Sequence, residues 1–386
     1  MMTSLTTALS NFFFEYETPR QVLVKDKRVG VVCRLIQLVV LAYIIGWVFL
    51  YEKGYQTTDV AIGSVFTKMK GVGYTTVNDT KRVWDVADYV FPDQGDSSFV
   101  VMTNYIMTVG QTQDTCPELP GIYNCTSEND CKEGDYKRTG HGHMTGKCVM
   151  KTNTCEIHSW CPVENDLQIP DPPLLISAEN YTLFIKNSIT FPQFGYTRIN
   201  LVEGVDNNYI RNCIYDQVKD PLCPIFKLGD IVKLSGFTFS QIAIEGGAIG
   251  ILIDWICDFD WHARYCRPVY NFHGLYGADE AQTSIGYNFR HAKYYVEDKV
   301  EKRTLIKVFG IRIDVLFRGL ARKFDIIPTL TAIGSGVGIF GVATVVCDLV
   351  LLYVLPKRDF YKNMKFKYTT MKEAEPVLQM NNTEKE

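Results

Sequence analysis

Two long hydrophobic runs lie near the ends of the chain, and between them the pattern shortens to alternating segments. The first run, Leu35 to Leu50, reads LIQLVVLAYIIGWVFL and reaches ~20 residues once Val29 to Val32 are included. Arg34 sits at one end, where its stem is long enough to snorkel to headgroups, and Trp47, Tyr51 and Tyr55 occupy the other end like interfacial anchors. The second run spans Ile326 to Leu355, with Pro328 near its start and Asp348 near its end. Each is long enough to cross a hydrocarbon core of ~30 Å. A pair of buried helices in a soluble protein is the alternative, and the flanks argue against it. Arg20, Lys25, Lys27 and Arg28 precede the first run, and Lys357, Arg358, Lys362, Lys365 and Lys367 follow the second. Positive flanks at both outer ends put both termini in the cytoplasm and everything between the runs outside. A cleaved signal peptide fits poorly, because the leading segment is long and no small-residue cleavage site follows. The expected plan is a cytoplasmic segment 1–28, a first span 29–51, an extracellular domain 52–325, a second span 326–355 and a cytoplasmic tail 356–386.

The segment between the spans reads mostly as strands. Period-two patterns run through Ser98–Met107 and Ile249–Ile256, and in Ile311–Phe317 the residues Ile311, Ile313, Val315 and Phe317 share one face. Turn residues separate them, as in Phe91–Asp96 and Asp220–Pro224. A short helix is expected near Phe237 to Ile244, and little other helical periodicity is sustained outside the spans. The stretch from Cys116 to Cys161 is polar and Gly-rich, too much so for a core of its own, and reads as a stapled lobe on the larger sheet structure.

Composition narrows the classes. With 46% hydrophobic and 22% charged residues, wholesale disorder is excluded. Forty basic against 43 acidic residues, a formal charge of −3, argues against a nucleic-acid partner. Ten of the 12 cysteines fall between the spans, an even number that reads as five disulfides in an oxidising compartment. The first six form one cluster, and Cys213 with Cys223 and Cys257 with Cys266 look like local pairs. A structural zinc site using His141, His143 or His158 is the competing reading, although no CxxC knuckle occurs. Cys33 and Cys347 lie in or beside the spans. Sequons at Asn78, Asn124 and Asn180 agree with an extracellular location.

The candidate chemistry is anion binding. Lys68 and Lys70 are two apart, so an extended backbone points both ammonium groups the same way. Asn288 and Arg290 repeat that spacing with an amide and a guanidinium, and Lys307 precedes the alternating strand leading to the second span. A phosphate chain is suited by point charges together with a planar donor fork; a solvated basic face has the same spacing. No GxxxxGK[ST] loop and no hydrolytic constellation is present, and Asp260 and His262 beside Trp261 read as loop surface. In the second span, Gly334 and Gly338 have small-xxx-small spacing, and Thr331 and Ser335 share one helical face where they could line water. Asp348 is costly against lipid and so is expected to face protein or an aqueous vestibule. Simple dimerisation of an anchor is the plain alternative. Two helices cannot enclose a pore, so a channel requires an oligomer.

The chain resembles the ATP-gated cation channels of the P2X purinergic receptor family from Phe14 to Lys367. The resemblance rests on Tyr16–Arg20 (YETPR), Trp47–Gln56 (WVFLYEKGYQ), Lys68–Gly71 (KMKG), Trp84–Tyr89 (WDVADY), the ten cysteines, Gly286–Arg290 (GYNFR) and Lys323–Pro328 (KFDIIP). Asp260–Arg267, Phe272–Tyr276 and Lys307–Gly310 are most similar to the member numbered first, associated with smooth muscle and platelets. The resemblance implies two transmembrane helices carrying a large, disulfide-rich, β-rich extracellular domain of dolphin-like shape. It implies a homotrimer, or a heterotrimer with related subunits, at the plasma membrane. ATP, alone or with magnesium, would be the ligand between subunits, with no further cofactor and no enzymatic activity. Sodium, potassium and calcium would be the permeant ions.

Residue by residue, the resemblance places the phosphate contacts on Lys68, Lys70, Asn288, Arg290 and Lys307. It places the adenine contact on Thr182 with Leu183 beside the pocket, and the narrow pore region on Thr331, Ser335 and Gly338. The implied disulfides are Cys116–Cys161, Cys125–Cys148, Cys131–Cys155, Cys213–Cys223 and Cys257–Cys266. His291 stands where an aromatic residue is more usual, adding a titratable group beside the pocket. Thr18-Pro-Arg20 and Tyr361–Lys365 match the family's terminal motifs. A non-channel receptor and an ecto-nucleotidase are the readings from other classes; ATP-evoked current and phosphate release separate them.

Overall fold

The computed structural model describes residues 27–77, 80–92, 97–202, 205–276, 286–354, 359 and 362–363. Asn78, the YETPR motif and most of the tail motif lie outside the described residues. The chain divides into two units, Met1–Thr57 with Phe324–Glu386, and Thr58–Lys323.

The first unit is a pair of helices. Lys27–Tyr43 is α-helical and continues as a π-helical stretch, Ile44–Tyr51; Ile326–Leu349 is α-helical and ends in the π-helical turn Val350–Val354. Pro328 falls in the first turn of the second helix, where its missing N–H leaves no bond unmade. Asp325 caps that helix, its carboxylate accepting from the Ile327 amide at 2.9 Å. Apolar side chains are exposed all round both helices (Val39 69%, Leu50 72%, Val337 69%), which suits lipid rather than water. Gly30–Tyr51 and Ile326–Leu349 are each long and apolar enough to span a membrane.

The two helices pack antiparallel. The Asp325 amide donates to the Tyr55 carbonyl at 3.2 Å, and further along Ile44 lies over Gly336, where an added Cβ would come within 3.2 Å of Ile44 Cγ2. Ile44, Gly336, Ala343 and Cys347 are buried along this seam. Close approach within the subunit therefore occurs at Gly336, whereas a Cβ added at Gly334 or Gly338 would meet no described atom within 4 Å beyond its own helix backbone. Thr331, Ser335 and Gly338 are exposed, roughly 120° round the helix from the seam at 100° per residue.

The second unit is built on β15 (Val300–Phe324), which pairs antiparallel with β6 (Ser98–Pro117) and β14 (Asn288–Glu297), and parallel with β12 (Gly247–Asp258). β13 (Pro268–Tyr276) extends this nine-stranded sheet beyond β12, β8 (Thr154–Cys161) and β7 (His143–Val149) extend it beyond β6, and β1 (Gln56–Val60) and β5 (Val90–Phe91) complete it, while β3 (Gly73–Val77) and β4 (Thr80–Trp84) pair only with each other. A four-stranded sheet combines β2 (Ile62–Lys70), β9 (Thr182–Phe191), β10 (Tyr196–Ile199) and β11 (Ile225–Lys227). A shared core holds the two sheets together. Asn187, on β9 and fully buried, accepts from Trp255 Nε1 of β12 at 2.7 Å and donates to the Ser64 carbonyl of β2 at 3.0 Å.

The three segments with alternating patterns are strands. In β6, however, burial is unbroken from Phe99 to Tyr105, because both faces are covered. Thr103 Oγ1 donates to the Ala243 carbonyl (2.8 Å) and Asn104 Nδ2 to the Pro170 carbonyl (2.7 Å). A helix at Phe239–Glu245 lies where one is expected. Val86–Tyr89, Asn207–Asn212 and Leu228–Leu234 are helices that the pattern does not reveal, being only one or two turns long.

The cysteine-rich lobe does have a core. Tyr123, Met144 and Ile157 pack with the half-cystines Cys125, Cys131 and Cys155, so sulfur substitutes for the aliphatic side chains the lobe lacks. Five disulfides close: Cys116–Cys161, Cys125–Cys148, Cys131–Cys155, Cys213–Cys223 and Cys257–Cys266. The cysteines of the zinc alternative are thereby consumed. Each bridge typically contributes ~2–4 kcal/mol. Asn124 and Asn180 are exposed; the Asn124 side chain accepts from the Gly121 amide, and its sequon partner Thr126 donates to Asp130.

Candidate ligand-binding site

The four-stranded sheet turns a row of cations outward. Along β2, Val65, Thr67 and Met69 are buried, so the alternation exposes Phe66, Lys68 and Lys70. Lys70 stands opposite Thr182 of β9, and Thr182 stands opposite Lys227 of β11, giving a Lys–Thr–Lys row across three strands. Lys68 is opposite Phe184, and the exposed Lys186 occupies the next position on the same face. Among the described residues, no carboxylate lies within 4 Å of these lysines. The end of β2 is fixed from behind. The Tyr89 hydroxyl donates to the Gly71 carbonyl at 3.0 Å, and Tyr89 stacks on Tyr181 at 4.5 Å between ring centroids. Gly71 passes so close over the Tyr181 ring that a Cβ would meet it at 2.3 Å. The Trp84–Tyr89 stretch thus acts as a buttress: Trp84 Nε1 donates to Thr75 (2.8 Å), and Asp85 caps the short helix through the Ala87 amide (3.0 Å).

A second cationic group lies on the nine-stranded sheet. Arg290 of β14 is directly opposite Lys307 of β15, with Asn288 one step along the same face, opposite Phe309. Gly286 (φ +81°) sets the start of β14 by passing against the Glu245 carbonyl, where a Cβ would stand at 2.2 Å. Unlike the lysine row, this group has acidic partners. Arg290 Nε meets Glu164 at 2.6 Å, Arg290 Nη2 meets Asp166 at 3.2 Å, and Lys307 Nζ meets Asp166 at 2.6 Å. The Lys307 hydrogen bond, with the charges of Lys307 and Arg290, holds the Asp166 carboxyl below its ordinary value despite partial burial. Glu164 is buried, and its Oε1 has no hydrogen-bond partner among the described residues. One protomer therefore carries two cationic groups, one bare and one paired with its own carboxylates, with no ion pair joining them among the described residues.

A model of the ATP P2X receptor family matches residues 14–368. The chain belongs to that family. It is 48% identical over 376 residues to P2X purinoceptor 4 of Bos taurus, covering 95% of this chain and 96% of the relative. It is 45% identical over 362 residues to P2X purinoceptor 5 of Homo sapiens, covering 92% and 81%. Among solved structures, a P2X receptor from the Gulf Coast tick, crystallised with ATP and Zn2+, superposes with a TM-score of 0.76 at 41% identity, covering 83% of this chain and all of that one. Membership makes this chain a P2X receptor subunit, a ligand-gated cation channel rather than an enzyme. The expected likeness to the member numbered first is not what these relatives show, since they carry the numbers four and five.

Seen in the P2X subunit, some expected positions shift. Leu183 is fully buried opposite Met69, so it supports Thr182 from the core and has no surface to offer a ligand; Phe184 holds the outward position. His291 is turned by the strand alternation to the face away from Arg290 and packs on Phe91 at 5.3 Å. Lys186, Lys227, Glu164 and Asp166 join the two cationic groups without having been singled out by sequence spacing. Their signals were the period-two run Thr182-x-Phe184-x-Lys186 and the Glu164-x-Asp166 pair just after Cys161.

Beside the Arg290–Lys307 group, the P2X subunit pairs a buried glutamate with a half-buried histidine in its cysteine-rich lobe. Glu118, with a fully buried side chain, accepts from the His141 amide at 2.8 Å and meets His141 Nδ1 at 2.7 Å. The Glu118 hydrogen bond raises the His141 pKa above 6.5, with Asp166 and Glu164 adding to it. Burial pushes Glu118 up, but the bonds from His141 and Leu119 outweigh it and hold Glu118 below 4.5. The His141 contribution is complete below 6.5 and is lost as pH rises through its raised folded value; the Glu118 contribution is lost as pH falls through its lowered one. The difference in thermal midpoint between wild type and His141→Gln is expected to be greatest near pH 6 and to shrink by pH 9. A difference independent of pH would contradict the pairing.

Proposed function

We propose that extracellular ATP opens this channel by bridging the two half-sites of neighbouring subunits in a trimer. Lys68, Lys70 and Lys186 of one subunit and Asn288, Arg290 and Lys307 of the next would take the triphosphate, with Thr182 meeting the adenine and Phe184 beside it. The observation that carries this reading is the division of the cations between two sheets, one set bare and the other neutralised. A triphosphate, with or without magnesium, supplies the charge the bare set lacks and competes with Asp166 and Glu164 for Lys307 and Arg290. Lys307 also lies on β15, which ends at Phe324, one residue before Asp325, the cap of the second span, so ~55 Å of continuous extended chain links ligand to pore. Tighter binding to the state with the half-sites drawn together shifts the gating equilibrium.

The proposed topology has both termini in the cytoplasm, the spans at 29–51 and 326–355, and 52–325 outside, in the plasma membrane. Sodium, potassium and calcium would pass along the Thr331, Ser335 and Gly338 face. Asp260–Arg267 and Phe272–Tyr276 support a likeness to the member numbered first, whereas the relatives above are numbered four and five. The channel reading does not depend on that choice, nor on whether related subunits join the trimer.

Complementation tests the intersubunit site. Lys68→Ala and Lys307→Ala receptors expressed separately should each lose high-affinity ATP binding. Co-expressed, they should recover about one site per mixed trimer, because one interface then has both halves intact. Failure of the mixture to bind ATP would place the site within a single subunit.

A further inference from the structure

Two cysteines remain outside the five disulfides: Cys33 in the first span and Cys347 in the second. Neither belongs to the ligand site or to the Thr331–Ser335 face. Their positions along the seam match. Eleven residues separate Cys33 from Ile44, and eleven separate Gly336 from Cys347. Eleven residues are about three turns, so each cysteine lies on the same helix face as its seam partner. Because the helices run antiparallel, the two faces meet again at the cysteines. Burial agrees: Cys347 is only 9% exposed, Cys33 is half-buried, and Ala343, one turn from Cys347, is also buried. The small residues Gly336 and Ala343 allow the close approach that a disulfide needs, with Cα atoms usually 4.4–6.8 Å apart. Arg34 and Asp348 adjoin the two cysteines in sequence.

We propose that Cys33 and Cys347 form a redox-responsive pair, whose oxidation to an intrasubunit disulfide ties the two spans together and restrains opening. The bond rests on the helix seam alone; its effect on current rests also on the gating proposed above. The oxidant is a peroxide. One cysteine sulfur takes an oxygen from hydrogen peroxide, giving a sulfenic acid and water. The second thiol then attacks that sulfur, forming the S–S bond and releasing a second water. Two thiols are oxidised and one peroxide is reduced. With the proposed topology the pair lies towards the cytoplasmic side, where the glutathione pool keeps thiols reduced at rest and reverses the bond.

The test uses the full-length receptor in cell membranes, treated with hydrogen peroxide, alkylated and digested without reduction. Mass spectrometry should find a peptide linking Cys33 to Cys347, absent before oxidation, lost on adding dithiothreitol, and missing from C33S and C347S. ATP-evoked current should fall severalfold in wild type and recover with dithiothreitol, while both variants keep their current. Recovery of the two cysteines as separate alkylated or sulfinic peptides would overturn the pair, as would a Cys33–Cys347 link only between subunits, seen as a dimer on a non-reducing gel. A linked peptide with unchanged current would overturn the restraint. A receptor that forms the link but never responds to ATP would instead count against the channel gating.

Discussion

Replacing Lys307 by alanine is expected to raise the ATP concentration for half-maximal current by ~100-fold or more, with little change in surface expression. Its side chain is only 13% exposed and lies opposite Arg290, so its ammonium is largely desolvated and held in place. Removing one partner of such a charge-assisted contact leaves a phosphate oxygen unmatched in a shielded site, and each 1.4 kcal/mol is about tenfold in affinity. Lys68→Ala should act in the same direction from the other half-site. Asp166→Asn should act in the opposite one: without the carboxylate, Lys307 has no internal anion for ATP to displace, and half-activation should move to lower ATP. Concentration–response curves check all three. Unchanged sensitivity in Lys307→Ala would remove the phosphate assignment, and a rightward shift in Asp166→Asn would remove the competition.

Cysteine introduced at Thr331 or Ser335 should bring ATP-evoked current close to zero on reaction with a charged thiol reagent, and mainly after ATP is applied. The two positions are four apart, on an exposed face turned away from the seam, and Gly338 continues that face, where an added Cβ would meet no described atom within 4 Å beyond its own helix backbone. Thr331 returns its hydroxyl hydrogen to the Ile327 carbonyl at 2.9 Å, which leaves its oxygen lone pairs directed outward for water or ions. Val39 of the first span is 69% exposed but sits in an unbroken aliphatic surface, so the same substitution there should be nearly inert. Rapid modification at Val39 with Thr331 and Ser335 silent would move the pore lining to the first span.

The parts of the fold that follow local periodicity were legible in the sequence. Ser98–Met107, Ile249–Ile256 and Ile311–Phe317 are strands, and both apolar runs are helices, because alternation and unbroken hydrophobicity are read over neighbouring residues. What depends on tertiary partners was not. The double-sided burial of β6 comes from chain segments far away in sequence, and Val86–Tyr89, Asn207–Asn212 and Leu228–Leu234 are too short to impose a helical period of their own. Gly336 rather than Gly334 is the seam residue because helix rotation is set by the facing Ile44, which the GxxxG spacing does not encode. The lysine pair was visible from its spacing, but its neighbours Lys186 and Lys227 join it only through strand register. The counterions Glu164 and Asp166 lie more than 120 residues from Arg290, a separation that hides any pairing from the sequence. Leu183, expected beside the pocket, is fully buried opposite Met69, because strand alternation turns Phe184 to the face that carries Lys68 and Lys186.

The most direct test is a whole-cell recording from cells expressing this chain alone, during a rapid pulse of extracellular ATP. The account predicts an inward cation current at negative potential that begins with the pulse and is absent from untransfected cells. A receptor present at the surface that binds ATP yet carries no current would contradict it.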